Sequence, residues 1–395
     1  MQRLIHHKEA GFVSLFSVIF FMLLITVITI GFLRIMAIEQ RQALDNDLTA
    51  SAIAAAESGI EDGKRAILKY YSLPNSDPLK GELASALNSS DCDALTRSPS
   101  IRTALGLNAA GNVIGNQELN QYYTCLSVNL NSPDYISHSP AGQSEYFPLK
   151  TSNPSGFEQI KISWHLISPS IGSDGDGVPS AYAPGPLLPP VINVNGNPTN
   201  SWSSQGYPAY LRVQLYGYPA GSFDRANLTD RNRSVFLVPS DSSNAAAVDE
   251  NTPIVLSAAD PRGFDQNKTV LRQVKCKPNP GANVGSYACT ALVELPTDPT
   301  LRGNNNNYFL RVTPLYGQSH FRAVLIHDGQ PVDMQEVQPI VDATGRAADV
   351  FRRIQARVRL NAPSGLPEFV AESANDICKN MEVADGTYYQ PNNCP

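Results

Sequence analysis

Several familiar signals are missing from this 395-residue chain, and each absence closes a class of function. No H-E-x-x-H, P-loop, G-x-S-x-G or dinucleotide fingerprint occurs, so the sequence gives no reason to expect an enzyme. No basic stripe occurs either. Thirty Lys and Arg face 36 Asp and Glu, and the net charge of −6 gives a mildly acidic surface with no expected nucleic-acid partner. No C-x-x-C pair is present and no histidine lies close in sequence to a cysteine pair, which removes the common zinc spacings. The most telling absence is local: from Phe12 to Leu33 there is not one charged side chain.

Those 22 residues are long and apolar enough to cross a bilayer as a helix. A cleaved secretory signal would have a core of about 7–15 apolar residues and a small-residue cleavage site. Here the run is longer, and Arg34-Ile35-Met36-Ala37-Ile38-Glu39 after it has no A-x-A pattern. The leader before it, Met1 to Gly11, carries Arg3, Lys8 and Glu9. Arg3 and Lys8 keep the amino end cytoplasmic by the positive-inside tendency, which Arg34 and Arg41 weaken without reversing. The expected placement is a single pass through the inner (cytoplasmic) membrane with the carboxyl-terminal head outside.

The helical pattern continues beyond the span. Arg34 to Tyr71 contains no proline and is rich in Ala, Leu, Glu and Gln, and Pro74 then ends it. Ile53, Ile60 and Ile67 recur every seven residues, with Ala56 and Gly63 offset by three, and predict one packing face. Arg41 with Asp45, and Glu61 with Arg65, are expected as i,i+4 pairs. Gly59 and Gly63 are weak points, each costing about 1 kcal/mol relative to alanine in a helix interior.

From Leu79 to about Leu107 one or two short helices are expected. Strand patterns then follow at Tyr122–Leu130, Gln159–Leu166, Tyr210–Tyr216, Val235–Val238, Thr269–Cys276, Tyr287–Leu295, Tyr308–Thr313, Phe321–His327 and Arg353–Leu360. Residues 168–209, rich in Pro, Gly, Ser and Asn, read as a long loop or linker. Period-two alternation, with Ile160, Ile162, Trp164 and Leu166 on one face, points to antiparallel sheet with one wet side. The fold class is therefore α+β: a long amino-terminal helix packed on a mainly antiparallel, β-rich head. The organisation is leader 1–11, membrane or filament-core helix 12–33, amphipathic stem 34–72 and exported head 73–395.

All six cysteines, Cys92, Cys125, Cys276, Cys289, Cys378 and Cys394, lie beyond the span, and an even exported count suggests disulfides. Chain proximity favours Cys92–Cys125, Cys276–Cys289 and Cys378–Cys394 among fifteen pairings. No cofactor is expected. The one metal-like segment is Gly172-Ser173-Asp174-Gly175-Asp176-Gly177, where Asp174 and Asp176 at i,i+2 suit a hard cation such as calcium. Val178 and Gly185 stand where an EF-hand needs oxygen ligands, so a solvated turn is the competing reading. His138, His165, His320 and His327 are scattered, and His165 and His327, which sit in strand patterns, read as surface or packed histidines. Arg353, Arg357 and Arg359 read as a solvated sheet face rather than an anion or partner site.

Leader, Gly11, Phe12, hydrophobic run and amphipathic continuation occur in the order of a type IV prepilin. The stretch Ala50-Ser51-Ala52-Ile53-Ala54-Ala55-Ala56-Glu57-Ser58-Gly59-Ile60 resembles the alanine-rich segment of PilX-type and GspK-type minor pilins. The resemblance covers under a fifth of the chain. It implies cleavage after Gly11 by prepilin peptidase, methylation of Phe12, and loading into a filament by an assembly ATPase and a membrane platform protein. It also implies other pilins and minor pilins as partners, and another cell surface as a target of the head. Most pilins carry glutamate at the fifth mature position, where this chain has Phe16. A charge at mid-span costs about 2.5–3.5 kcal/mol on insertion scales and persists where it has a partner. Its absence suits a subunit at the filament tip, with nothing above it. It equally suits a membrane-anchored surface adhesin or scaffold that never assembles.

Overall fold

A computed structural model describes residues 10–89, 91–107, 115–116, 120–168, 175–177, 206–219, 232–256, 271–276, 285–295 and 306–359. Helix α1, Ala10–Ser72, runs unbroken for 63 residues, about 95 Å at 1.5 Å per residue. Its apolar part is fully outside the packed protein: Phe16, Phe21, Met22 and Val27 each expose more than half their surface. Two hydroxyls in that stretch are satisfied within the helix, Thr26 donating to the Met22 carbonyl and Thr29 to that of Ile25. Internal satisfaction is what a helix needs where no water can substitute. Three short helices follow, α2 (Pro78–Leu87), α3 (Ala94–Arg97) and α4 (Pro99–Leu105). Asp77 caps α2 and Ser98 caps α4, each followed by a proline that needs no N–H partner.

Fifteen strands follow among the described residues. The first eight are β1 (Gly115–Asn116), β2 (Gln121–Ser132), β3 (Tyr135–Ser139), β4 (Glu145–Leu149), β5 (Gln159–Leu166), β6 (Tyr210–Pro219), β7 (Asn232–Asp241) and β8 (Pro253–Val255). The remainder are β9 (Leu271–Cys276), β10 (Tyr287–Glu294), β11 (Asn306–Leu315), β12 (Ser319–His327), β13 (Gln330–Val332), β14 (Met334–Ala347) and β15 (Val350–Arg357). They form two sheets. A small one has the order β1-β2-β14-β15, and a large one the order β13-β12-β5-β10-β9-β7-β6-β11-β4, with β3 beside β12 and β8 beside β10. Every pairing is antiparallel except β7–β9 and β8–β10. The chain is α+β, as the sequence predicts. Ser132 at the end of β2 pairs with Met334 at the start of β14, so the large sheet is an insertion between two neighbouring strands of the small one. The similar segments Leu211–Gly217 and Leu310–Gly317 become sheet neighbours, Val213 opposite Val312 and Leu215 opposite Leu310.

The lower half of α1 lies across the small sheet, and the contact is made by small residues. Ala52, Ala56 and Ala66 are fully buried, and Ile60 and Ile67 complete the face. Ile53, expected on that face, is instead exposed, because the stripe follows Ala52, Ala56, Gly59, Gly63 and Ala66 rather than the heptad. The glycines are the reason the helix can come this close. A Cβ on Gly63 would fall 2.5 Å from Val341 Cγ1, and one on Gly59 would fall 2.9 Å from Ala343 Cβ. From the sheet side, a Cβ on Gly345 would meet the Ala52 carbonyl oxygen at 2.0 Å and the Ala56 nitrogen at 2.3 Å. Gly59 and Gly63 therefore cost helix propensity and repay it as close backbone approach.

Polar groups flank this seam. Arg65 pairs with Asp62 rather than Glu61, Lys64 takes Glu61 at 2.6 Å, and the buried Asp62 carboxylate also accepts from Tyr123 Oη at 3.1 Å. At the foot of the stem Tyr70 Oη donates to Glu336 Oε1 at 2.9 Å, and Lys150 pairs with Glu336 Oε2 at 2.6 Å. Burial, then the Glu336 contact, pushes Tyr70 up to about 12. Burial alone would raise Glu336, but hydrogen bonds from Lys150 and Tyr70, with the charges of Lys150 and Lys80, hold it below the usual carboxylate range.

Arg353, Arg357 and Arg359, in and just after β15, are each paired with a carboxylate, although Arg353 itself stays largely solvated. Arg353 forks onto Asp342 at 2.8 and 2.9 Å, Arg357 reaches Asp134 at 2.7 Å and Arg359 reaches Glu145 at 3.2 Å. Asp134 and Glu145 belong to the inserted segment, so Arg357 and Arg359 tie the small sheet to the large one. Two disulfides close the described structure. Cys92–Cys125 ties the short helices to β2, and Cys276–Cys289 joins directly opposed residues of β9 and β10. Cross-links closing 33 and 13 residues are each worth about 3–4 kcal/mol on a chain-entropy estimate. Cys378 and Cys394 lie outside the described residues.

Candidate functional site

Two features of this fold can carry function: the exposed upper half of α1 and a cluster of histidine and aspartate at one end of the large sheet. The first is the one helix of the described chain long and apolar enough to cross a membrane, with a mean hydropathy of 2.7 over its best window and none of that window buried. Gly11 and Phe12 fall in its first turn. The leader 1–9 lies outside the described residues.

The second feature is produced by register. Antiparallel pairing of β3 with β12 sets His138 opposite His320, and their ring centroids are 4.3 Å apart. On its other side β12 pairs with β5 in the register Phe321–Trp164, which would next oppose His320 to His165. The β12 pairing ends there instead, while β5 goes on to Leu166 opposite Tyr287. His165 takes φ +63°, its N–H donates to Ser319 Oγ at 3.1 Å, and its ring turns inward to 1 % exposure.

Residues 175–177 occupy the gap so opened. The Asp176 N–H donates to the Leu166 carbonyl at 2.8 Å, and the Gly177 N–H donates to Ser168 Oγ at 3.1 Å. Gly175 is required for this approach, since a Cβ there would lie 2.8 Å from Ser168 Cβ and 2.9 Å from the Leu166 oxygen. The Asp176 carboxylate is thereby carried into the cluster and held. Its Oδ2 accepts from the backbone N–H groups of Leu166 (2.9 Å) and His320 (2.8 Å), and its Oδ1 meets His320 Nδ1 at 3.0 Å.

One donor atom each of His138, Asp176 and His320 lies within 4.8 Å of the others. Nε2 of His138 is buried without a hydrogen-bond partner, as are both ring nitrogens of His165. Burial first, then the His320 ring, lowers the His138 pKa. Burial pushes His165 down to about 4, against a weaker upward pull from Asp176 and the Gly177 backbone. These are neutral imidazoles at neutral pH, the form that binds metals.

This geometry corrects the sequence reading of the Gly-Asp-Gly segment. Asp176 is 4 % exposed and meets the His320 ring rather than solvent, so it does not sit in a solvated turn. Asp174 lies outside the described residues. His138 and His320 read as scattered only because the alternation says nothing about which strands are neighbours. A second group, Glu158, His327 and Asp328, also gathers within ligand distance at the end of β12, with Asp328 exposed and the other two half-buried. There both ring nitrogens already face carboxylates, Nδ1 at 2.7 Å from Glu158 and Nε2 at 3.5 Å from Asp328.

No family model matches the chain, and no curated protein or solved structure matches it either. The functional reading therefore rests on residues and geometry.

Proposed function

We propose that this chain is a minor, tip-proximal subunit of a type IV pilus or related secretion filament, acting in pilus assembly or surface attachment. The observation that carries the reading is the division of α1. One rigid helix exposes an apolar, charge-free half and fastens its other half to a folded head through alanines and glycines. A static anchor needs only a span and a linker. A subunit that leaves the bilayer and stacks laterally needs its head fixed to the same helix that packs in the filament core, and this helix meets that requirement. Phe16, 68 % exposed in the apolar half, leaves no carboxylate to compensate a neighbour's amine, which suits a terminal position. On this reading prepilin peptidase, the platform protein, other pilins and the membrane are partners, and the head meets the other surface.

The test is the amino-terminal mass of the chain recovered from sheared surface filaments. Methylated Phe12 as the first residue is expected, at a small fraction of the major subunit. Gly11→Leu should block cleavage and leave the protein in the membrane fraction. Unprocessed protein found only in membranes of the wild type would favour the anchored adhesin or scaffold. Normal filaments from Gly11→Leu cells, or this chain as their most abundant protein, would overturn the tip assignment.

A further inference from the structure

We propose that His138, Asp176 and His320 form a binding site for a divalent transition metal of the zinc type, clipping three distant parts of the chain at the end of the large sheet. The three residues come from β3, the re-entrant 175–177 segment and β12, and nothing but the fold brings them together. Two imidazoles and one carboxylate are a donor set that suits zinc and its neighbours and does not suit calcium or magnesium. Three protein ligands also leave one coordination position for water or for a group from another molecule.

The site is built rather than assembled from mobile surface groups. Two backbone N–H groups fix Asp176 through Oδ2, which leaves Oδ1 on the side of the imidazoles. Cross-strand register fixes His138 against His320. Among the described residues the buried Nε2 of His138 has no hydrogen-bond partner, which is costly for a polar atom unless something else occupies the position. Donors about 2.0–2.1 Å from a tetrahedral ion stand about 3.4 Å from one another. The cluster, with its donor atoms within 4.8 Å of one another, is already close to that spacing. His320 would exchange its hydrogen bond to Asp176 for a shared ion, and the held carboxylate would need no new backbone position. By contrast, the Glu158–His327–Asp328 group has its ring nitrogens already engaged and serves as an internal control.

The experiment uses the untagged full chain in detergent with His6 and His7 replaced by alanine, because that adjacent pair in the leader can bind metal independently. Titration with zinc chloride after chelator treatment should show one equivalent bound and a raised unfolding temperature. The ion's absorption fine structure should show a mixed nitrogen and oxygen shell with two imidazoles. His138→Ala and His320→Ala should each weaken binding by at least about tenfold, the lower bound for losing even an outer-shell group. Gly175→Ala, which touches no ligand atom, should also weaken it by displacing Asp176. His327→Ala should bind as the parent does. Absence of a tight equivalent, an all-oxygen shell, or loss of binding in His327→Ala with retention in His138→Ala would each overturn the proposal. If an alanine variant fails to fold, the absorption spectrum of the parent still decides between the two histidine clusters, since only the proposed site supplies two imidazoles.

Discussion

The helix–sheet seam under the stem and the interior of the large sheet are packed differently. At the seam, Gly59 and Gly63 let the helix settle onto the side chains of Ala343 and Val341, and Gly345 lets the sheet approach the backbone of Ala52 and Ala56. Inside the large sheet, size does the filling. Trp164, Phe147 and Phe321 are fully buried, and Phe147 stacks on Tyr135 with centroids 4.0 Å apart. A core of large side chains is damaged by removing atoms, whereas a seam of small residues is damaged by adding them. The stem contact is thus tuned for close, rigid fastening of an exposed apolar rod, and the head core for stability of a sheet that receives no help from the stem.

Removing atoms from the head should give the largest effect. Phe147→Ala is expected to destabilise the head by about 3–5 kcal/mol, read as a lower denaturant midpoint, while hydrogen exchange at residues 52–67 changes little. Equal loss of protection in both places would show that the cores unfold as one, and the contrast would fail. Adding one methyl to the seam should cost less. Gly63→Ala gains about 1 kcal/mol of helix propensity but must push Val341 aside, an overpacking penalty of about 1–3 kcal/mol. A net loss of protection confined to 52–67 is expected, and a stabilised stem would mean the sheet yields more readily than its packing implies.

The smallest effect concerns the polar foot of the stem. Glu336 titrates below its ordinary value in the folded chain, so its contribution is present in full above about pH 4.5 and is lost as pH falls through the lowered value. With Lys150 half exposed, that contribution is about 1 kcal/mol or less. Protection factors at residues 66–72, taken against the intrinsic exchange rate at each pH, should fall on acidification, and Glu336→Gln should flatten the dependence. An unchanged profile in Glu336→Gln would remove Glu336 as the source of the acid sensitivity.

What the sequence disclosed follows the same division. Strand β5 is legible because Ile160, Ile162 and Trp164 alternate cleanly, and α1 because nothing interrupts its pattern between the span and Pro74. Strand β14, the centre of the small sheet, is not foreseen. Pro339 and Gly345 break its alternation, and its pairing with β2 shifts register twice, between Gln335 and Ile340 and between Thr344 and Gly345. The stem face is half legible: Ile60 and Ile67 mark it, but the glycines that make it read as defects in a helix. The histidine–aspartate cluster could not be foreseen. His165 takes a positive φ within its strand, and the partners of His320 lie 144 and 182 residues away in the chain. The Gly-Asp-Gly triplet was the only local hint, because Gly175 is what allows Asp176 to approach.

The pairing of Ser132 with Met334 has a consequence for biogenesis. Part of the platform that receives the stem is made near residue 130 and the rest only after residue 334, so a chain emerging amino end first must leave α1 undocked while the whole insertion crosses. A chain truncated before β14 would keep the long apolar helix and β2 but lose the two strands, β14 and β15, that make most of the surface against which the lower half of α1 rests.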